Sequence, residues 1–106
     1  MLLNERILGE IDAYAYMVQQ GKPAAAIPVK IDYLTEVVEY ISKIHGSSTY
    51  HEELSEGWVT LWIYKYPHIL EVIKSFKHSP QSTFDHWVLG KLFGYDEAAI
   101  AAFLKT

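Results

Sequence analysis

The chain contains no cysteine. It therefore has no thiol for a disulfide framework, a thiolate zinc site or a cysteine nucleophile. The longest apolar runs fall well short of the roughly 20 residues that a membrane helix needs, and the acid and base at Glu5 and Arg6 are unlike the start of a signal peptide. These absences predict a cytoplasmic protein that does not enter a membrane.

Positive charge is also scarce. Nine lysine and arginine residues face 13 acidic residues, which gives a net charge of −4. Binding to a phosphate backbone depends on clustered Lys and Arg, so we expect nucleic acid not to be a partner. A chain of 106 residues is long enough for one hydrophobic core, and we predict a single helical domain over residues 1–106.

The most regular feature of the first half is helical periodicity. Ile7, Ile11, Tyr14 and Val18 predict a first helix that ends at Gly21. A second predicted helix covers residues 31–45 and stops at Gly46. Between them, residues 22–28 hold two prolines and show no period, which predicts an extended linker.

Residues 51–66 carry two conflicting signals. Their β-branched and aromatic side chains favour a strand, whereas Leu54, Trp58 and Leu61 keep helical spacing. We predict a helix that starts near His51 and keep a strand over residues 58–64 as the alternative. In a strand, side chains alternate between two faces. One face would carry Trp58, Thr60, Trp62 and Tyr64, and the other Val59, Leu61 and Ile63.

The remaining part of the chain has clear helix boundaries. Pro67 either kinks the preceding helix or opens a new one that runs to Lys77. Residues 78–81 break the chain, and Ser82 and Asp96 are predicted to cap two further helices. In the last of these, Ile100, Phe103 and Leu104 should face inward. Together the elements predict an all-α bundle of five or six helices.

The segment 87–104 resembles the helix-turn-helix of phage-repressor-type DNA-binding domains. The resemblance rests on an apolar helix, Gly94 at the turn, a cap at Asp96, and Ile100 with Leu104 on the inner face. It implies that the second helix faces the major groove. The outward positions would be Glu97, Ala98, Ala101, Ala102 and Lys105, and a basic face would come from Lys65, Lys74, Lys77, Lys91 and Lys105. A plain helical hairpin gives the same pattern, and DNA binding is therefore our second hypothesis.

The histidines suggest a third hypothesis, a metal-dependent enzyme. His68 and Glu71 lie three residues apart and could share a helix face, with Asp85-His86 or residues 51–53 adding ligands. However, the chain has no two-histidine zinc motif, glycine-rich phosphate loop or nucleophile elbow. We therefore predict no catalytic residue, no cofactor and no bound metal.

The aromatic content supports our leading hypothesis. Eight tyrosines and three tryptophans are more than a core of this size easily encloses, and both residue types carry binding energy at interfaces. We predict an accessory or inhibitory protein, of the kind found in bacteria and phages, that binds another protein or itself through an aromatic helix face. The predicted binding residues are Trp58, Trp62, Tyr64, Tyr66, Tyr33 and Tyr40. Nearby acids, Glu52, Glu53 and Glu56, would attract a basic partner. In the alternative, the tryptophans form the core and the tyrosines cover it.

Overall fold

The computed structural model describes residues 4–75 and 81–105 and places helices on both faces of a three-stranded sheet. The elements are α1 (Glu5–Gln19), β1 (Ala24–Lys30), α2 (Leu34–Tyr40), β2 (Ser48–Ser55), β3 (Trp58–Tyr64), α3 (Pro67–Ser75), α4 (Thr83–Leu92) and α5 (Glu97–Leu104). A 3₁₀ turn, Ile31–Tyr33, precedes α2 and a π-helical turn, Ile41–His45, follows it. This is an α+β fold, so the prediction of an all-α bundle is wrong.

The sheet is antiparallel, with β3 in the middle and the strand order β1-β3-β2. Trp62 of β3, for example, lies between Ala26 of β1 and Tyr50 of β2. The β2–β3 hairpin turns at Gly57, whose φ of 78° lies in the left-handed region that favours glycine. Residues 51–66 are therefore a hairpin, and the helix predicted from His51 does not form.

The central position of β3 explains the misleading helical spacing of its apolar residues. Leu61 and Ile63 pack toward α1 and α2, whereas Trp62 and Tyr64 pack toward α3 and α4. A strand covered on both faces reads as a continuous apolar run, because neither set of alternating positions needs to be polar. The alternative of a strand over 58–64, with these two faces, is the one that the structure confirms.

The extended conformation predicted for residues 22–28 is confirmed from Ala24 onward, but the segment is not a linker, because Ala24–Lys30 form β1. Pro28 was the misleading residue, since proline cannot donate a hydrogen bond to a neighbouring strand. An outer strand tolerates this loss, and β1 is an outer strand of the sheet. Ile27 and Val29 are buried while Pro28 and Lys30 are exposed, which is the alternation of a strand.

Two apolar cores result, one on each side of the sheet. The first joins Ile11 and Val18 of α1 and Val37 of α2 to Leu61 and Ile63 of β3. The second joins strand residues to α3 and α4 and contains Ala24, Trp62, Tyr64, Ile73 and Leu92. The order of the chain therefore places the first two helices on one face of the sheet and the later helices on the other.

Several boundaries predicted from local signals are confirmed. Gly46 follows the π-helical turn with a φ of 66°, and Pro67 is the first residue of a new helix, α3. The side chains of Ser82 and Asp96 cap α4 and α5. Lys77 and the predicted break at 78–80 lie outside the described residues. Within the described ranges, no helix has both the length and the apolar character needed to cross a membrane.

The two leucines of the β2–β3 hairpin provide a direct test of this fold. Leu61 is 0% exposed and Leu54 is 54% exposed. We expect Leu61→Ala to lower the free energy of unfolding by about 2–5 kcal/mol through cavity formation. The matched variant Leu54→Ala should stay within about 0.5 kcal/mol of the wild type. Urea denaturation followed by circular dichroism measures both, and equal losses would contradict the register of β3.

Candidate protein-binding surface

The six aromatic residues predicted to form a binding face lie in different places. Trp62, 8% exposed, and Tyr64 belong to the second core. Trp58, at the start of β3, is 40% exposed, and Tyr66 lies beyond the end of the strand with its ring stacked on His68 at 5.8 Å between centroids. A strand also places Trp58, Trp62 and Tyr64 on one face, but Trp62 and Tyr64 are buried in the second core, so the exposed aromatic helix face that was predicted does not form.

The other two predicted residues, Tyr33 and Tyr40, support the first core. Both are half-buried and pack against it. The Tyr40 hydroxyl also donates a hydrogen bond to Asp12 Oδ1, at 2.7 Å, and so ties α2 to α1. Of the six predicted residues, only Trp58 and Tyr66 are exposed.

Asp12 is the centre of a polar network that joins α1 to the π-helical turn. His45 Nε2 lies 2.8 Å from the same Asp12 oxygen, and the Gln19 side chain donates to the His45 carbonyl and to Ser47 Oγ. The hydrogen bonds from Tyr40 and His45 lower the pKa of the Asp12 carboxyl below its ordinary value. The hydrogen bond from Tyr40 to Asp12 also raises the pKa of the Tyr40 hydroxyl. An aspartate beside a histidine is familiar from catalysis, but here both groups fasten two helical segments together.

Helices α4 and α5 form a hairpin at the end of the chain, and local sequence signals define it. Ser82 Oγ accepts a hydrogen bond from the Asp85 N–H at the start of α4, and the Asp96 carboxylate accepts one from the Ala99 N–H at the start of α5. Between the helices, Gly94 has a φ of 85°, which suits glycine. The hairpin predicted from residues 87–104 is thus present.

The two helices of this hairpin approach closely at Gly90. A Cβ atom added there would lie 2.8 Å from Ile100 Cγ1, closer than carbon atoms can approach without movement. Beside this contact lies an apolar groove of about 320 Å³. Its main lining residues are His86, Leu89, Phe93, Tyr95, Ala99 and Phe103. Phe93, which lines the groove, is held in place because its ring stacks on that of Trp62 of β3, with 5.6 Å between ring centroids.

Large apolar side chains remain exposed on the same hairpin. Phe84 is 69% exposed. The other exposed large residues of the hairpin are Trp87, Tyr95, Phe103 and Leu104. The sequence prediction had placed Phe103 and Leu104 inside, and this is wrong. Among the described residues α5 packs chiefly on α4, so only Ile100 of its apolar stripe is buried.

A polar contact fixes the hairpin on the side of Trp87. The indole N–H of Trp87 donates to the Glu97 carboxylate at 3.0 Å, and Lys91 Nζ lies 2.7 Å from the same carboxylate. The hydrogen bonds from Lys91 and, to a smaller extent, Trp87 lower the pKa of Glu97. Trp87 is therefore held in one orientation while its ring remains accessible, which is how an anchor residue at an interface behaves.

Three of the five lysines predicted to form a DNA-binding face contact aromatic rings, and the predicted metal ligands do not cluster in the part of the chain that the structure describes. Lys65, Lys74 and Lys91 each lie over an aromatic ring, those of Tyr66, Tyr50 and Trp87 respectively. Lys77 lies outside the described residues, and Lys105 is exposed beyond α5. Within residues 4–75 and 81–105, no group of three His, Asp or Glu side chains could hold a metal ion.

No family model, no curated protein and no solved structure matches this chain. We therefore infer function from the surface of the protein itself. Phe84 was not predicted as a surface residue, because an apolar position at helical spacing is usually a core position. Tyr95, which lies in the turn between α4 and α5, was not predicted either. The signal that could have found them is the length of the chain after Pro67. That length supplies more apolar helix than one face of a small sheet can cover.

A pair of glycine variants tests the close packing of α4 and α5. Gly9 lies in α1 with no atom within 4 Å of an added Cβ, so Gly9→Ala should stabilise the protein by about 1 kcal/mol. Gly90→Ala gains the same helix propensity but forces Ile100 to move, which costs about 1–3 kcal/mol. We expect Gly90→Ala to have the lower free energy of unfolding by that margin in urea denaturation. Equal effects would show that the hairpin can open freely.

The Asp12 network predicts a dependence of stability on pH. The pKa of Asp12 is lowered in the folded protein, so its contribution is present above the pKa of the unfolded chain and is lost as pH falls through the folded-state pKa. Tyr40→Phe should lower the urea midpoint at neutral pH, and its difference from the wild type should narrow in acid. Tyr33→Phe is the control, because the Tyr33 hydroxyl makes no hydrogen bond to a described residue. A difference that stays constant down to acid pH would contradict this role of Asp12.

Proposed function

We propose that this protein acts by binding another protein through its α4–α5 hairpin. The observation that carries the proposal is the combination of exposed Phe84, Trp87 and Tyr95 with the apolar groove. Single exposed apolar residues are ordinary, whereas several on one small element that also bears a groove are typical of an interaction site. Tryptophan and tyrosine are also the residues that most often dominate interface energetics.

The groove suits an apolar anchor side chain from the partner. Its volume of about 320 Å³ has room for one or two large side chains, and its walls are mainly apolar. The caps at Ser82 and Asp96 and the close contact at Gly90 hold the two helices in place before binding. A preformed groove avoids part of the entropic cost of association.

The charge of the chain favours a different protein over a second copy as the partner. Each copy carries a net charge of −4. On the hairpin, Asp85, Asp96 and Glu97 outnumber Lys91 and Lys105. Two such surfaces brought together would oppose like charges, whereas a partner with basic residues around its apolar anchor would be attracted.

A photo-crosslinking experiment tests the proposal. The amino acid p-benzoylphenylalanine, placed at Phe84, should capture one defined protein from a lysate of the source cells. The same amino acid at Ile44, which is exposed on the π-helical turn, is the matched control and should not capture it. Crosslinking of the chain to itself at Phe84 would assign the hairpin to self-association and overturn the proposal.

Binding measurements with the purified partner complete the test. Phe84→Ser should weaken the affinity, measured by calorimetry, by about ten-fold or more, as expected for a hot-spot residue. Ile44→Ser should leave it within about two-fold, as expected for residues outside the contact. Both variants replace exposed side chains, so circular dichroism should show the wild-type fold. A partner that binds both variants equally would exclude the hairpin as its site.

A further inference from the structure

The outer edges of the sheet differ in how they are protected. Native proteins discourage pairing at an open edge with proline, lysine, short strands or bulges. The outer strand β1 has Pro28 within it and Lys30 at its end. The opposite outer strand, β2, has neither proline nor lysine, and its bulge falls only at its end, between Glu53 and Ser55. Residues 48–53 of β2 therefore form a regular edge.

The backbone of this edge has no second partner among the described residues. β2 pairs with β3 alone, and no described residue outside β3 makes a backbone hydrogen bond to it. Because alternate residues of a strand direct their N–H and C=O groups to opposite sides, half of these groups point away from β3. Within residues 4–75 and 81–105, nothing pairs with these groups.

The charge along β2 determines which strand could be added. Ser48–Ser55 carry Glu52 and Glu53 and no lysine or arginine, and Glu56 follows in the turn. Pairing with β2 of a second copy would bring carboxylates together with no lysine or arginine of either strand between them, which is destabilising. A strand with basic residues on one face would place its cations beside Glu52 or, on the opposite face, beside Glu53.

Exposed apolar residues lie at the end of the same edge. Leu54, the extra residue of the bulge, and Trp58, the partner of Ser55, are both exposed. An added strand that continues past the bulge would meet this apolar surface after the acidic one.

We propose that the β2 edge binds an extended basic segment of a partner protein by strand addition. The backbone groups of β2 supply hydrogen bonds, and Leu54 with Trp58 contacts an apolar side chain. Glu52 and Glu53 lie on opposite faces of the strand, so lysine or arginine on one face of the added segment pairs with Glu52 or, on the other face, with Glu53. This site is separate from the α4–α5 hairpin and does not rest on the function proposed there.

Amide hydrogen exchange followed by NMR tests strand addition with synthetic peptides. The probe is a capped peptide of alternating lysine and valine. One control is its glutamate–valine counterpart, and the other is a helix-forming lysine–alanine peptide of the same charge. The first peptide should slow exchange at alternate amides of residues 48–53, and neither control should do so. Equal binding of the lysine–alanine peptide, or no protection of β2, would overturn the proposal. The carboxylates of Glu52 and Glu53 would then serve only to prevent pairing of β2 between two copies of the protein.

Variants locate the site on the same protein. The double variant Glu52→Gln/Glu53→Gln should weaken binding of the lysine–valine peptide by about ten-fold and reduce its dependence on salt. The matched variant Glu5→Gln/Glu39→Gln removes the same charge from α1 and α2 and should bind more nearly as the wild type does. Phe84→Ser should leave peptide binding unchanged, so failure of the hairpin proposal and failure of this one are distinguishable. Equal weakening by both double variants would reduce the interaction to net charge and refute a site at β2.

Discussion

The burial of β3 on both of its faces is the constraint on which the other elements depend. Leu61 and Ile63 need helices on one side, and Trp62 and Tyr64 need them on the other. A sheet with two apolar faces is stable only between two layers of helices. The first half of the chain supplies α1 and α2 for one layer, and α3 and α4 supply the second. The hydrogen-bonded network around Asp12 then fixes the first layer internally.

The second layer of helices, formed by α3 and α4 with α5 beside them, carries more apolar surface than the fold buries. Ile73 of α3 and Leu92 of α4 cover Trp62 and Tyr64, while α5 lies against α4 and buries Ile100. A helix that packs on one neighbour buries a narrow stripe, and its other apolar positions stay in solvent. Retaining Phe84 and Trp87 outside the core increases the risk of aggregation. A binding role gives a physical reason for a chain of this size to keep them there.

How far the sequence predicts the structure depends on the range of the interaction. Signals that act on the backbone within a few residues predicted the helix boundaries correctly. These boundaries are at Gly46, Pro67, Ser82 and Asp96. The strand over 58–64 was kept only as an alternative, and β1 and β2 were not predicted. Their pairing with β3 joins separate segments, across 28 or more residues for β1 and across the turn at Gly57 for β2. Pro28 suggested a linker because the sequence does not reveal that β1 is an outer strand. The candidate surface was missed for a related reason, since the spacing of Phe84 and Leu104 is the same whether or not another element covers them.

The two proposed surfaces differ in charge and in exposed apolar area, and this difference affects which partners each surface would bind. At the α4–α5 hairpin, Lys91 and Glu97 neutralise each other while orienting Trp87, so the affinity there would depend mainly on apolar burial and shape. At the β2 edge the strand that carries Glu52 and Glu53 contains no lysine or arginine, so selection there would depend on charge. Apolar burial is nearly independent of salt, whereas attraction between exposed charges is screened. The two surfaces could therefore bind different partners on one small chain, and ionic strength would affect them unequally.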